Sequence, residues 1–265
     1  MPFKSSREWI TEEDVLAQFR YVIDEVKDGL GVIERITIAN EGSVLDETTY
    51  PATALTQIIA ATRLQSRVRK LVLETRLEFV RAERLQEIRE ISGKRLDLLT
   101  GFETHNPDIR ERVLGKREPL EVFETCLVST TDAELTTYVL FKPDPAMNDD
   151  QAWEEAEASI DYLQQACRQR AIPLTIRLDP MYVAKGTARA RRASTIENYQ
   201  PPRLSDVISL AEKKRAESLP VYLGLTSEGL SDQQDTYRGR EDFTTTLLKQ
   251  VIIMNGDHTA THHMQ

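Results

Sequence analysis

Lys70-Leu71-Val72-Leu73-Glu74-Thr75-Arg76 is an apolar run that stops abruptly on charge. Its length and composition suit a short buried strand, with Glu74 opening the polar turn that follows. The same pattern recurs on either side of it. Ile36-Thr37-Ile38-Ala39 stops on Asn40-Glu41-Gly42-Ser43, and Leu98-Leu99 on Thr100-Gly101-Phe102-Glu103-Thr104. Tyr138-Val139-Leu140-Phe141 stops on Lys142-Pro143-Asp144, and Leu174-Thr175-Ile176 on Arg177-Leu178-Asp179-Pro180. Each run precedes a helix-like stretch. Parallel strands of a β/α barrel carry their functional side chains at their C-terminal ends, on one rim. The repetition therefore predicts both a fold and the place of a site.

The spacing fills in the rest. Thr11 and Asp14 make a capping-box start, and Val15, Phe19, Val22, Ile23 and Val26 recur at helical intervals until Gly29 and Gly31. Helices are predicted over 53–64, 82–91 (closed by Gly93), after Pro107, 120–130, 149–170, from a Ser205 cap to about 218, and 242–254. Strands are predicted at 34–39, 70–74, 96–100, 135–141, from Pro173, and at 220–225. His258, His262 and His263 read as a frayed tail. Strand and helix alternate, which is the βαβ signature. The expected architecture is α/β, a barrel in residues 1–230 followed by a C-terminal amphipathic helix and tail in 231–265. A flat doubly wound sheet is the alternative, disfavoured because polar ends close every strand instead of clustering at one switch point.

The 265 residues are 40% apolar, enough for a large core, and 29% charged. A net charge of −9 argues against a general polyanion binder but not against a local basic groove. No stretch reaches membrane-spanning length and no secretory leader is recognisable, so a cytoplasmic setting without membrane contact is expected. Cys126 and Cys167 lie 41 residues apart, without metal or redox spacing, and read as buried small side chains. Neither G-x-G-x-x-G nor G-x-x-x-x-G-K-[ST] occurs.

Glu41, Glu74 and Glu103 follow three successive strands, and in a barrel they would converge on the rim. Converging carboxylates can hold a metal, move a proton, or bind an amino group and ribose hydroxyls. A single strand-end Glu is usually just solvated; three in register, with Arg76 beside one, point to a site. Lys142, Arg177 and Asp179 extend the rim. Arg177 interrupts an apolar strand and needs an anionic partner. Lys185-Gly186-Thr187 is a short Gly turn and a weak anion motif. Arg189, Arg191 and Arg192 read better as a solvated helix face than as an RNA contact, and His105 as structural. No Ser/His/Asp constellation is legible.

Taken together, Ile36–Glu47, Leu71–Phe79, Leu98–Arg117, Thr137–Pro143, Leu174–Thr187 and Gln200-Pro201-Pro202-Arg203-Leu204 resemble the radical S-adenosylmethionine superfamily. The likeness is to the branch holding the elongator catalytic subunit and the archaeosine-type radical enzymes, and it spans residues 11–230. It implies a partial (β/α)6 TIM-like barrel of the radical type. It implies that Asn40, Glu41 and Gly42 meet the amino group of S-adenosylmethionine, that Glu74, Arg76 and Glu103 face the cofactor, and that Arg177 and Asp179 face cofactor or substrate. The family cleaves S-adenosylmethionine reductively with a [4Fe–4S] cluster, and relatives act on tRNA. The cluster needs three thiolates at C-x-x-x-C-x-x-C spacing, which this chain lacks. The first strand and cluster loop are expected to be missing, with truncation favoured over a natural cluster-less relative. No catalytic residue and no metal ligand is assigned. Two other classes stay open: a metal-dependent β/α-barrel hydrolase or lyase using the strand-end carboxylates, and a non-catalytic binding module.

Overall fold

The computed structural model describes residues 10–40, 42–130, 132–184, 186–224, 236–237 and 245–261. In chain order the elements are α1 (Glu12–Val26), β1 (Arg35–Ile38), α2 (Ala52–Arg63), β2 (Lys70–Glu74), α3 (Ala82–Ser92), β3 (Arg95–Glu103), α4 (Leu120–Leu127), β4 (Glu134–Phe141), α5 (Asp149–Arg168), β5 (Leu174–Pro180), β6 (Val183–Ala184), α6 (Ala188–Ser194), α7 (Leu204–Ala216), β7 (Val221–Leu223), β8 (Thr236–Tyr237) and α8 (Thr245–Thr261). A π-helical turn covers Ile109–Leu114. Six strands form one sheet in the order β1-β2-β3-β4-β5-β7, with β1–β2, β2–β3 and β5–β7 parallel. The class is α/β, and the unbroken sequential order is consistent with a partial TIM-like barrel. β6 and β8 form a separate antiparallel pair. The chain falls into two compact units, Met1–Thr100 with Thr125–Leu135, and Gly101–Glu124 with Thr136–Gln265.

Local chemistry places the elements of the first unit. Thr11 caps α1 by accepting from the Asp14 amide, and Asp14 accepts from the Thr11 amide in return. Gly93 ends α3 at φ 64°, where a side chain would be strained. β1 and β2 register Ile36 on Leu71 and Ile38 on Leu73, and β2 registers Leu71 on Leu96 and Leu73 on Leu98. Leu71, Leu73, Leu96 and Leu98 are buried. The opposite face carries Lys70, Val72 and Asp97, and there Lys70 lies 3.7 Å from Asp97 and also pairs with Glu134.

In the second unit α5 starts from a reciprocal cap between Asn148 and Gln151 and buries Ala156, Ile160, Leu163 and Cys167, as its spacing predicts. Trp153 on the same helix is half-buried and donates to Glu157 at 3.1 Å. Strand β4 alternates strictly, with Leu135, Thr137, Val139 and Phe141 buried and Thr136, Tyr138 and Leu140 half-exposed. Ile176, Leu178, Val221 and Leu223 are likewise buried, where α5 and α7 pack on β5 and where α7 and α8 pack on β7.

Some boundaries differ from the sequence reading. β3 runs on to Glu103, because Phe102, read as loop, is fully buried with its ring 4.8 Å from Phe123 and 5.6 Å from Tyr162. α7 begins at Leu204 after Arg203 and not from a Ser205 cap; Leu204 is buried, so packing draws the helix start upstream. α8 reaches Thr261 and includes His258, whereas His262, His263 and residues 242–244 lie outside the described residues. The basic stretch forms the short helix α6, in which Arg191 and Arg192 are exposed but Arg189 is not. No helix among the described residues is long and apolar enough to cross a membrane.

Candidate functional site

In the first unit the ends of β1 and β2 are tied together. The Asn40 amide donates to Glu74 Oε2 at 3.0 Å. The Asn40 side chain turns the next loop, its Oδ1 accepting from the Gly42 amide at 3.1 Å and its Nδ2 donating to the Ser43 carbonyl at 3.4 Å. The Val44 amide donates to the Glu74 carbonyl at 2.9 Å, and the Ser43 and Thr75 hydroxyls share a buried hydrogen bond of 2.6 Å. Asn40, Gly42 and Glu74 are thus one constellation. Arg76 turns to Glu78 at 3.0 Å, with both side chains about one-third exposed. Glu41 lies outside the described residues.

In the second unit Glu103 ends β3 at φ 73°, a left-handed conformation rare for a residue with a side chain. Its carboxylate folds back over Gly101, where an added Cβ would lie 2.3 Å from Oε1, so a side chain at 101 would push the carboxylate aside. Burial raises the Glu103 pKa, against the opposing pull of Lys116, Arg110 and Arg189. Lys116 donates to the Gly101 carbonyl and lies 3.4 Å from Glu118. Arg189 donates to the Pro143 carbonyl at 2.7 Å, and burial lowers its pKa. The turn around Glu103 is held from below by Arg110, which is fully buried and donates to the carbonyls of Phe102, Thr104 and Glu118.

Two strands away, Arg177 and Asp179 stand on one face of β5 with Nε 3.3 Å from Oδ1. Arg177 also donates to the Tyr138 hydroxyl at 3.1 Å. Its guanidinium lies 4.7 Å from the Tyr138 ring centre and 5.9 Å from that of Tyr222. Asp179 fills the space beside Gly224, where a Cβ would come within 1.8 Å of Oδ1. Lys142, at φ 64° and almost wholly buried, sits 3.8 Å from Asp149 and over the Tyr199 ring.

Glu74 and Glu103 belong to different units, and each is described in its own surroundings. The sequence reading does not pick out Tyr138, Tyr222 or Lys116, and it takes Arg189 for part of a solvated helix face, whereas Arg189 is half-buried. The alternation of β4 is the sequence signal for Tyr138, whereas only strand pairing sets Tyr222 beside Arg177. His105 is anchored as read: its Nδ1 lies 3.0 Å from Ser159 Oγ and 3.1 Å from Glu155, and its amide donates to Ser159. Lys185 of the Gly turn lies outside the described residues.

The fit of a [4Fe–4S] cluster can be judged from the thiols. Three thiolates are needed, and the chain holds two cysteines, Cys126 on α4 and Cys167 on α5. Burial pushes the Cys167 thiol up to about 12, which keeps it protonated and inert as a ligand. These residues do not fit the cluster. Among the described residues no three His, Cys, Asp or Glu side chains gather to hold a metal ion.

No model of a known protein family matches the chain. It is 22% identical over 239 residues to an uncharacterized protein of Methanocaldococcus jannaschii, covering 88% of this chain and 63% of that protein. It is 26% identical over 198 residues to the archaeosine synthase subunit beta of Thermococcus kodakarensis, covering 71% of this chain and 59% of that subunit. The chain therefore spans about three-fifths of the length of these relatives. Among solved structures it is similar to the 3-keto-D-glucoside 4-epimerase YcjR of E. coli, with a TM-score of 0.47 at 11% identity, covering 85% of this chain and 76% of that one.

Proposed function

We propose that the chain is the S-adenosylmethionine-binding β/α portion of a radical-type enzyme of tRNA modification. The observation that carries this reading is that polar side chains close the strands within each unit. Asn40, Glu74 and Gly42 close β1 and β2, Glu103 closes β3, and Arg177 with Asp179 closes β5. S-adenosylmethionine presents a cationic amino group, a sulfonium, a carboxylate and a ribose, which call for acceptors and cations together. In this reading Glu74 and Glu103 take donors of the cofactor, Glu41 and Arg76 complete the first strand ends, and Arg177 and Asp179 face cofactor or substrate. The tRNA context is supported by the 26% likeness to the Thermococcus subunit. The cluster that supplies the reducing electron in such enzymes finds no ligands in this chain, so no step through it is assigned here.

Glu74 also has a structural duty. Its carboxylate orders the Asn40 amide and so the loop that would meet the amino group. Calorimetric titration of S-adenosylmethionine into the full chain tests the reading. Binding that Glu74→Gln weakens at least about tenfold supports it. The absence of any affinity for S-adenosylmethionine refutes it. Mg²⁺ or Mn²⁺ binding lost in the same variant, without S-adenosylmethionine affinity, would instead mark a metal-dependent hydrolase or lyase.

A further inference from the structure

Tyr138 of β4, Arg177 of β5 and Tyr222 of β7 form a row across three neighbouring strands. Arg177 and Tyr222 are register partners. Val139, Ile176, Leu178, Val221 and Leu223 alternate with them and are buried, so the row stands on the more open face of the sheet. The guanidinium lies between the two rings, at 4.7 Å from one and 5.9 Å from the other. β7 is last in the strand order, so among the described residues no strand of this sheet follows Tyr222. The ring of Tyr222 therefore has a cation on one side and no strand neighbour on the other; it is half-buried, and the edge of β7 next to it is bonded at Leu223 by Asn255 of α8. Asp179 stands two residues along β5 from Arg177, on the same face, with its side chain 22% exposed. A carboxylate only accepts, so it pairs with N–H or O–H groups and turns away carbonyls.

An aromatic–cation–aromatic row is the sequence-tolerant half of nucleobase recognition, because every base has a π-face. A carboxylate beside it supplies the half that reads the base edge. We propose that Tyr138, Arg177 and Tyr222 are a stacking row for a nucleobase whose N–H edge is read by Asp179. This inference deepens the reading above and rests on it for the source of the base, the adenine of S-adenosylmethionine or a base of the RNA. Gly224 is part of the device, since any side chain there would displace the reading carboxylate.

Equilibrium dialysis of labelled adenosine, guanosine, uridine and S-adenosylmethionine against the full chain tests it. Tyr222→Leu is expected to weaken nucleoside binding about five- to hundredfold, the range set by one lost base–aromatic stack. Tyr222→Phe keeps the ring and should bind within about twofold of the native chain. Asp179→Asn should weaken guanosine, with its two adjacent N–H sites, more than uridine. An equal loss of S-adenosylmethionine binding in Tyr222→Leu assigns the base to the cofactor, and an unchanged S-adenosylmethionine affinity assigns it to the RNA. If Tyr222→Leu melts early, Arg177→Lys, which keeps the charge and loses the planar stack, gives the same readout. Absence of nucleoside binding, or native affinity in folded Tyr222→Leu, overturns the proposal. Tyr222-dependent adenosine binding without S-adenosylmethionine binding would sink the cofactor reading and leave the row standing.

Discussion

Arg110→Met is the substitution from which the most can be learned about how the end of β3 is held. The Arg110 side chain is 0% and that of Glu118 1% exposed, with Nη2 3.1 Å from Oε2. The guanidinium also donates to the carbonyls of Phe102, Thr104 and Glu118, and it lies 5.0 Å from the Phe102 ring centre. Two of those carbonyls flank Glu103, so the clamp fixes its left-handed turn. Met replaces the volume but leaves buried acceptors unpaired. Breaking one side of a buried pair costs about 3–5 kcal/mol. Lys116, 3.4 Å from Glu118, stays behind and should place the cost near the lower end. With about 2–4 °C lost per kcal/mol in a chain of this size, the melting temperature should fall by roughly 6–12 °C. Urea unfolding followed by circular dichroism measures the difference directly. Arg110→Lys should recover little, because one ammonium cannot serve three carbonyls and a carboxylate. Glu118→Gln, alone and combined with Arg110→Met, closes a double-mutant cycle. A loss below about 1 kcal/mol, or strict additivity in the cycle, would refute the idea that this clamp anchors the turn.

Other expectations follow from titration and from close approach. Because burial raises the Glu103 pKa, its charge opposes folding once the pH exceeds the unfolded value, and does so fully above the folded one. Glu103→Gln should therefore raise the urea midpoint near pH ~8 and leave it unchanged near pH ~3.5, where the carboxyl is protonated in both states. Glu155 has the opposite sign. Burial would raise its pKa, but bonds from His105, Thr104 and Ser159 outweigh burial and lower it. Its stabilisation is present above the unfolded value of about 4.3 and is lost as the pH falls through the lowered folded value. The deficit of Glu155→Gln should accordingly be present at neutral pH and shrink in acid titrations. Gly224→Ala would put a Cβ 1.8 Å from Asp179 Oδ1 and 2.8 Å from Arg177 Nε. Side chains can give way where backbone cannot, so the chain should stay folded by circular dichroism while nucleoside binding falls. Native nucleoside affinity in Gly224→Ala would show that Asp179 and Arg177 need not hold their positions.

Residues whose role is set by neighbours in the chain were legible from sequence. The Thr11–Asp14 cap, the Gly93 stop, and strand β2 at Lys70–Glu74 all appear where pattern and spacing put them. So does the alternation that makes an α/β sheet. These features depend on contacts within a few residues, so local chemistry suffices to determine them. The boundaries that moved did so where burial outranked local preference. Phe102 carries β3 past a glycine that reads as a turn, and Leu204 draws α7 upstream of a residue that reads as its cap.

The sequence by itself determined which side chains close each strand, and hence Asn40, Glu74, Glu103, Arg177 and Asp179 as candidates. Their partners were decided only by the tertiary structure. Glu74 meets the Asn40 amide across 34 residues, and Arg177 meets Tyr138 across 39. Pairing between strands sets those meetings, and no local pattern encodes a distance of that kind. The same holds for electrostatics. A glutamate has an ordinary carboxylate until folding surrounds it, and folding raises the pKa of Glu103 at the end of β3 and lowers that of Glu155 on α5 through burial and donors that the chain brings from elsewhere.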